Sequence, residues 1–273
     1  MSDKESSQNS KFVSLEEAAE MKSGTRVTFI PGMQALYAEA LKNVCYVKGI
    51  PLVRALHPLM GINKETGDDR QAKLYELTSQ TSLPTMFHDE ERPRNVWIEQ
   101  LSLAEQIGSD DSPQLIPENL EQRVEMLGLC AVIMGEDGLV WNIRILNDSP
   151  LARKYGYSEQ ASAAAKNKII EIISFIDKRI EEQVKQGSSY LIGNSLTAAD
   201  LYWATMVMST LSTPPEIMPR TKQNEGMLMW FEMNSKIPEI ANVLSERERI
   251  REHKKYILKT YCETPAVLGG DLL

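Results

Sequence analysis

The spacing of apolar side chains divides the first part of the chain into short strand-like runs and a helical segment. Two apolar runs, residues 26–30 and 52–56, flank residues 35–47, where apolar side chains recur every three or four positions. Proline and glycine follow the first run and the helical segment, and these residues stop strands and helices. The pattern predicts a βαβ unit, in which the two strands run parallel.

A second set of short elements follows this unit. Residues 83–87 form a strand-like run entered through Pro84, and a polar turn over 88–95 separates it from a second run at 96–98. A helix is predicted from Glu99 to Ile107. A βαβ unit followed by two strands and a helix resembles the thioredoxin fold, which places a cis proline at the position of Pro84.

The remainder of the chain is predicted to be helical, after a linker at 109–117 that is rich in Asp, Ser and Pro. Helical spacing of apolar residues is found in five segments: 120–146, 158–186, 198 to about 211, 225–236 and 239–259. The first segment contains Gly135-Glu136-Asp137-Gly138. Because two glycines weaken a helix, a break or a bulge is expected there.

Two capping-box patterns mark helix starts. Thr197 precedes Asp200 by three residues, so each side chain can bond the backbone N–H of the other, while Leu196 and Leu201 provide an apolar staple. The helix that follows is almost entirely apolar and is therefore expected to be buried on every side. Residues 14–17 carry the same pattern and predict a second, short helix near the start of the chain.

Composition narrows the classes of function. The 273 residues suffice for two domains, and 42% hydrophobic with 25% charged residues is ordinary for a globular protein. The net charge of −8 argues against a nucleic-acid or anionic-membrane partner, and the longest apolar run, residues 127–134, is too short to cross a bilayer. Three cysteines and three histidines without ligand spacing predict no metal site and suit a reducing compartment. A cytoplasmic location is expected.

Three stretches of the sequence resemble the glutathione transferase superfamily. They are Val47-Lys48-Gly49-Ile50-Pro51 before the second strand, Ser82-Leu83-Pro84-Thr85-Met86 at the expected cis proline, and the Thr197 capping box together with Met229–Met233 and Ile237-Pro238. They occur in the order of the family over residues 26 to 245. The resemblance implies an α/β thioredoxin-like N-terminal domain followed by an all-α C-terminal domain, and a homodimer is the family expectation.

The implied boundaries divide the chain into five parts. These are residues 1–24 as an N-terminal tail with a short helix, 25–108 as the thioredoxin-like glutathione-binding domain, 109–117 as the linker, 118–260 as the all-helical domain and 261–273 as a C-terminal tail.

Enzymes of this superfamily use glutathione as a cosubstrate and lower the pKa of its thiol with a Ser, Tyr or Cys near the start of the first helix. Here the corresponding loop is Pro31-Gly32-Met33-Gln34-Ala35, which has neither a hydroxyl nor a thiol. The side-chain amide of Gln34 and the backbone N–H groups of Met33 and Gln34 are the candidate donors to a thiolate. Tyr37 is a further candidate one turn on, with an ordinary packing tyrosine as the alternative.

The resemblance also implies how the rest of glutathione would bind. Leu83, before the expected cis Pro84, would offer its backbone N–H and C=O to the cysteinyl unit. Glu99 and Gln100 stand where the family has an acid and a serine that hold the γ-glutamyl amine and carboxylate. The Gln100 N–H would open a helix N-terminus suited to a carboxylate. Alternatively, Glu99 is a favourable first-turn acid and no more.

The Gly135–Gly138 interruption precedes a candidate subsite for a second substrate. Trp141 and Arg144 are three residues apart and share a helix face, with Glu136 nearby in the interruption. An aromatic ring beside a guanidinium suits an acidic or planar ligand in the cleft between the domains. The alternative is an interdomain salt bridge beside a core tryptophan.

Two classes of function follow from these observations. The first is a glutathione-dependent transferase or isomerase that acts on a small electrophile. The second, motivated by the missing hydroxyl, is a non-catalytic ligand-binding or protein-interaction module. A disulfide reductase is the weakest of the hypotheses, because the 33–36 loop has no cysteine to act as the attacking thiol.

Overall fold

The N-terminal part is built on one sheet, whose strands are ordered β1-β3-β2-β4 in the described part of the chain. The computed structural model describes residues 12–33 and 35–270. The strands are β1 (Phe12–Ser14), β2 (Thr25–Phe29), β3 (Leu52–Leu56) and β4 (Met86–His88). β1 and β2 run parallel to β3, and β4 runs antiparallel to β2. Helix α2 (Leu36–Val47) connects β2 to β3, which confirms the predicted βαβ unit.

The N-terminal capping box begins a short helix that packs against the sheet. Ser14 Oγ accepts the Glu17 N–H and the Glu17 carboxylate accepts the Ser14 N–H, so α1 spans Leu15–Glu20 as predicted. Helix α1 packs on the sheet, of which β1 is an edge strand, through a small apolar cluster that also includes α3 (Ala72–Thr78), an element that the spacing did not predict. The cluster contains Val13, Leu15, Ala18, Ala55, Leu74 and Phe87.

The predicted strand at residues 96–98 is wrong. Helix α4 spans Trp97–Ile107 and therefore includes most of that run. The second strand of the predicted pair is reduced to one bridge, in which Met86 and Arg94 exchange both backbone hydrogen bonds. The chain then enters α4 at Trp97, three residues after this bridge.

The C-terminal part is helical, as predicted. Its helices are α5 (Leu120–Met134), α6 (Leu139–Arg144), α7 (Pro150–Lys154), α8 (Glu159–Lys185), α9 (Ala198–Met206), α10 (Glu225–Ser235), α11 (Pro238–Ser245) and α12 (Glu248–Tyr261). The predicted break at Gly135–Gly138 is confirmed, since it separates α5 from α6. The single final helix predicted over 239–259 is wrong. The guanidinium of Arg247 donates to the carbonyl of Val243 (2.6 Å), and the chain turns there between α11 and α12.

Helix α9 forms the centre of the molecule. All of its nine residues are buried, as the apolar pattern predicts. The Asp200 carboxylate accepts the Thr197 N–H at 2.9 Å, which confirms the capping box. α9 packs against α5 and α12 and also against α2 of the sheet part. The Asn43 amide donates to the Thr205 hydroxyl (3.1 Å) across this contact, so one continuous core joins the two parts.

The stretch Leu120–Arg144 is long and apolar enough to cross a membrane, judged by length and composition alone. Within the fold it is divided between α5 and α6, and 56% of its most apolar 18-residue segment is buried inside the protein. Burial of this kind is typical of a core helix, so the stretch is weak evidence for a membrane protein.

Candidate functional site

A cavity of about 410 Å³ lies between the sheet and the helical part. It is bounded by α2, by the loop before β4, by the start of α4 and by the α5–α6 break. Seven of the residues predicted for the site line it together: Tyr37, Leu83, Pro84, Gln100, Glu136, Trp141 and Arg144. Met33 and Glu99 lie outside its lining, and Gln34 lies outside the described residues.

The loop before β4 presents an unpaired backbone edge to the cavity. The Leu83–Pro84 peptide bond is cis, as predicted. Thr85 anchors the loop, because its N–H donates to Thr28 Oγ1 (2.6 Å) and its carbonyl accepts the Thr28 N–H (3.0 Å). The backbone N–H and C=O of Leu83 have no hydrogen-bond partner within residues 12–33 and 35–270. An extended peptide could therefore pair with Leu83.

Gln100 holds this loop in place. Its side chain is buried, and its amide nitrogen donates to the Pro84 carbonyl (3.0 Å) and to the Arg94 carbonyl (3.1 Å). Both amide hydrogens are thus directed at the protein. The Gln100 backbone N–H donates to Val96 (3.1 Å), because α4 begins earlier than the sequence predicted. The sequence-based expectation that this N–H is free for a carboxylate is therefore corrected.

The free donors at the start of α4 are those of Trp97, Ile98 and Glu99. None of these three backbone N–H groups bonds another described residue, and the N-cap residue Val96 has no side chain that can cap them. Together with the helix dipole they favour an anion at this point. The Glu99 carboxylate is one third exposed and pairs with the Arg92 guanidinium at 2.6 Å.

Arg144 is held between two aromatic rings. Its guanidinium carbon lies 4.7 Å from the centre of the Tyr37 ring and 4.5 Å from that of Tyr155. Trp141 packs edge-on against Tyr155, with ring centres 5.1 Å apart. Arg144 makes no ion pair or hydrogen bond with any residue that the structure describes. The guanidinium thus reaches the sheet part through the Tyr37 ring, and not through the salt bridge considered as the alternative.

The Tyr37 hydroxyl bridges the two parts of the molecule. It donates to the Met134 carbonyl at 2.9 Å. Burial raises the pKa of Tyr37, an effect that the nearby positive charge of Arg144 opposes. Because the hydroxyl proton is already donated to a carbonyl, Tyr37 is placed as an interdomain contact in this conformation.

The loop after β2 is closed on itself and on the C-terminal segment. The Met33 N–H donates to Ile30 (3.2 Å) and the Met33 carbonyl accepts the Ala35 N–H (3.0 Å). Gly32, at a φ of +64° that favours glycine, donates its N–H to the carbonyl of Gly270 (3.0 Å). The Met33 amide is therefore engaged within its own turn.

Nine residues that line the cavity were not among the predicted site residues: Leu41, Ser82, Asn95, Val96, Trp97, Met134, Gly135, Tyr155 and Tyr202. Trp97 was assigned to a strand. Tyr155 follows α7, which the apolar spacing missed because the helix is only five residues long. Ser149 caps α7 and Pro150 occupies its first turn, and this Ser-Pro pair was the available signal.

The three cysteines are poor candidates for thiolate chemistry at neutral pH. Cys45, Cys130 and Cys262 are buried and free, and none of them lines it. Burial raises the pKa of the Cys45 and Cys262 thiols to about 12 and raises that of Cys130 as well, so thiolates are scarce at neutral pH. Among the described residues no group of three or more His, Cys, Asp or Glu is placed to hold a metal.

Comparisons with known proteins agree on the fold. Residues 148–247 match the family model described as glutathione S-transferase, C-terminal domain. A glutathione S-transferase of Methylobacillus flagellatus KT with glutathione bound is similar at a TM-score of 0.60 and 11% identity, over 86% of this chain and 95% of that one. Ure2p in complex with glutathione is similar at a TM-score of 0.53 and 12% identity, over 81% of this chain and 98% of that one. The Tau class glutathione S-transferase of mango, Mangifera indica, is similar at a TM-score of 0.51 and 12% identity, over 86% of this chain and 99% of that one. A search of curated proteins finds no match to the chain.

These comparisons confirm the resemblance predicted from the sequence. The chain has the glutathione transferase fold, with a thioredoxin-like part followed by a helical part, and it is a divergent example at identities of 11–12% to these three structures.

Proposed function

We propose that this chain, a divergent representative of the glutathione transferase fold, binds glutathione in the cleft between its two parts and presents the thiol to a small electrophile. The observation behind the proposal is that two groups without polar partners line the same cavity. The Leu83 backbone edge and the Arg144 guanidinium both lack polar partners in the described part of the chain. A volume of about 410 Å³ lies within the range of small-molecule sites.

The cysteinyl unit of glutathione pairs with Leu83 in this proposal. Leu83 supplies one donor and one acceptor next to each other, which suits the two sides of a peptide group. Pro84 and the Gln100 amide fix the loop, so this edge is organised before the ligand arrives. The side chain of Gln100 thereby acts as a positioning group for Leu83.

The γ-glutamyl end binds at the start of α4. Its carboxylate accepts the free N–H groups of Trp97, Ile98 and Glu99, and its ammonium takes the Glu99 carboxylate from Arg92. This exchange costs little, because Arg92 is exposed to solvent, which weakens its attraction to Glu99.

The thiol is activated by charge. A guanidinium favours a nearby thiolate over a thiol, and Arg144 is a cation without a carboxylate partner among the residues described. The side-chain amide of Gln34, next to Met33 in the sequence, is proposed as a further donor to the thiolate. Met33 and Tyr37 have no direct role in this chemistry, because the Met33 N–H and the Tyr37 hydroxyl donate to protein carbonyls.

The electrophile occupies the helical side of the cleft. Trp141 and the ring of Tyr155 provide flat apolar contact, while Glu136 is exposed at the α5–α6 break. We propose a planar substrate with partial negative charge, because an unpaired guanidinium between aromatic rings attracts it.

The test is calorimetric titration with reduced glutathione, combined with the ultraviolet absorbance of the bound thiolate. Arg144→Met is expected to reduce thiolate absorbance at saturation and to weaken binding by roughly tenfold or more. Arg153→Met is the matched control, since Arg153 is exposed and pairs with Asp148 outside the cavity. Absence of binding at millimolar glutathione, or equal thiolate signals in both variants, contradicts the proposal.

A non-catalytic ligand-binding module is the second candidate function. The engaged Tyr37 hydroxyl favours it, because no hydroxyl at the start of α2 is left to bind a thiolate. It predicts that the wild-type protein binds glutathione with no thiolate absorbance at neutral pH. The same titration therefore separates the two functions.

A homodimer in the cytoplasm is also part of the proposal. Leu120 and Val124 lie one turn apart on α5 and are 72% and 62% exposed, which gives this face an apolar surface for a second copy. Light scattering of the purified chain tests the dimer, and Val124→Glu is expected to shift it toward the monomer.

A further inference from the structure

A second cavity, of about 520 Å³, lies within the helical part. It is enclosed by the 3₁₀ turn Val207–Ser209 with the loop that follows it, by α10 and by α12, and it shares no lining residue with the cleft. It is therefore a cavity separate from the cleft.

The walls of this helical-domain cavity include a buried apolar surface. Six of the seventeen lining residues are apolar side chains buried in the core: Met208, Leu211, Ile217, Met218, Phe231 and Leu258. An aliphatic chain that enters the cavity replaces water along these surfaces, which is favourable by the hydrophobic effect.

Lys254 places a buried amine in the wall. The residue is 2% exposed, and its Nζ donates to the carbonyls of Leu211 (2.6 Å) and Ser212 (3.1 Å), both of which also line the cavity. An ammonium has three donors, and the third has no partner within the described chain. No carboxylate of the described residues pairs with it, and burial lowers the pKa of Lys254 to about 7.

The charges at the rim leave the cavity positive. Arg220 pairs with Glu232, and Arg251 pairs with Glu248 at 3.5 Å, so both acids are already neutralised. Lys255 is exposed and forms no ion pair with a described residue. Two amines, Lys254 within the wall and Lys255 at the rim, therefore remain without a counter-ion.

We propose that this cavity binds an aliphatic carboxylate, with the alkyl chain against the Met208 and Phe231 walls and the carboxylate on the Lys254 amine. A carboxylate supplies the single negative charge that Lys254 lacks, and burial of the pair in an apolar wall strengthens their attraction. The six buried apolar side chains favour an alkyl chain over a compact anion. The site is independent of the proposed glutathione site, since the two cavities have no residue in common.

The test is calorimetric titration of the full chain with dodecanoate below its micelle concentration. Saturable binding is expected, with dodecanol and dodecyltrimethylammonium binding at least roughly tenfold more weakly because they lack the negative charge. Lys254→Met keeps the side-chain length and is expected to lose roughly tenfold or more in dodecanoate affinity. Lys178→Met, which removes one exposed charge from α8, is the control and is expected to leave it unchanged.

Two further measurements locate the ligand. Leu228→Trp adds bulk to the cavity from α10 and leaves Lys254 in place. It is expected to abolish dodecanoate binding, so the test does not depend on the fold of one variant. Saturating glutathione is expected to leave the dodecanoate affinity unchanged. Equal affinity for the alcohol and the acid, unaltered binding by Lys254→Met, or displacement by glutathione each overturns the proposal. Failure of glutathione to bind bears only on the cleft.

Discussion

The guanidinium carbon of Arg144 lies 4.7 Å from the ring centre of Tyr37, and this contact joins the helical part to α2 of the sheet part. The Tyr37 hydroxyl also donates to the carbonyl of Met134, which like Arg144 belongs to the helical part. The cation is thus held by rings that cannot neutralise it, and its charge remains available to an anion. The same arrangement makes Tyr37 a structural tie.

Replacing Tyr37 by phenylalanine is expected to lower the free energy of unfolding by about 1 kcal/mol, because one hydrogen bond is lost and the Met134 carbonyl is left unpaired. Glutathione thiolate absorbance is expected to stay unchanged, since the hydroxyl faces Met134. Tyr46→Phe, at a half-exposed position of the same helix, is the control for urea denaturation. Loss of the thiolate signal in Tyr37→Phe contradicts the structural assignment.

The buried Gln100 amide is expected to couple stability to ligand affinity. Gln100→Leu leaves the Pro84 and Arg94 carbonyls without their donor, which costs about 2 kcal/mol. Because the loop then loses its anchor, glutathione affinity is expected to fall together with stability. Gln106→Leu, at an exposed position of α4, is expected to change neither quantity. Reduced stability with unchanged affinity for glutathione argues against Gln100 as a positioning group.

The buried Asp200 carboxylate accepts several hydrogen bonds at the start of α9. It accepts the N–H of Leu191 (2.7 Å), the N–H and hydroxyl of Thr197 (2.9 Å each), and lies 3.1 Å from His253 Nε2. Asp200→Ala is expected to destabilise the protein by about 3–5 kcal/mol, since several buried donors lose their partner at once. Ser14→Ala, in the exposed capping box of α1, is expected to cost only about 1 kcal/mol. Similar melting temperatures for the two variants contradict this ranking.

The buried Lys254 amine predicts that stability rises with pH above neutrality. Its pKa is about 7 in the folded chain and near 10.5 when exposed, so between these values the unfolded chain binds a proton that the folded chain lacks. The free energy of unfolding then increases by up to about 1.4 kcal/mol per pH unit from this group. Five other charged residues line the same cavity, and wild type and Lys254→Met share all of them: Arg220, Glu232, Glu248, Arg251 and Lys255. The difference between the two proteins in urea denaturation from pH 7 to 10 isolates the Lys254 contribution, and parallel curves contradict it.

Several features could be predicted because they depend on neighbours in the sequence. The capping boxes at Ser14 and Thr197 need only residues three apart, and the break at Gly135–Gly138 follows from glycine at both ends of four residues. The βαβ unit follows from apolar spacing between proline and glycine stops. The resemblance to a known superfamily added the cis proline and the cleft, and seven of the proposed residues do line one cavity.

Tertiary structure decided which polar groups are occupied. Spacing alone showed that Trp141 and Arg144 share a face, but the partner of Arg144 is Tyr37, more than a hundred residues away in sequence, and it is a ring and not an acid. The Gln100 side-chain amide looked free in the sequence, yet it donates to the Pro84 and Arg94 carbonyls, which the folded chain brings near. Lys254 belongs to a charged helix, and burial of its amine depends on the loop after residue 210 that closes over it. Local patterns determine where helices begin and end, because those signals act over three or four residues. Desolvation and hydrogen-bond occupancy depend on contacts that are distant in sequence, so they are fixed only when the chain has folded.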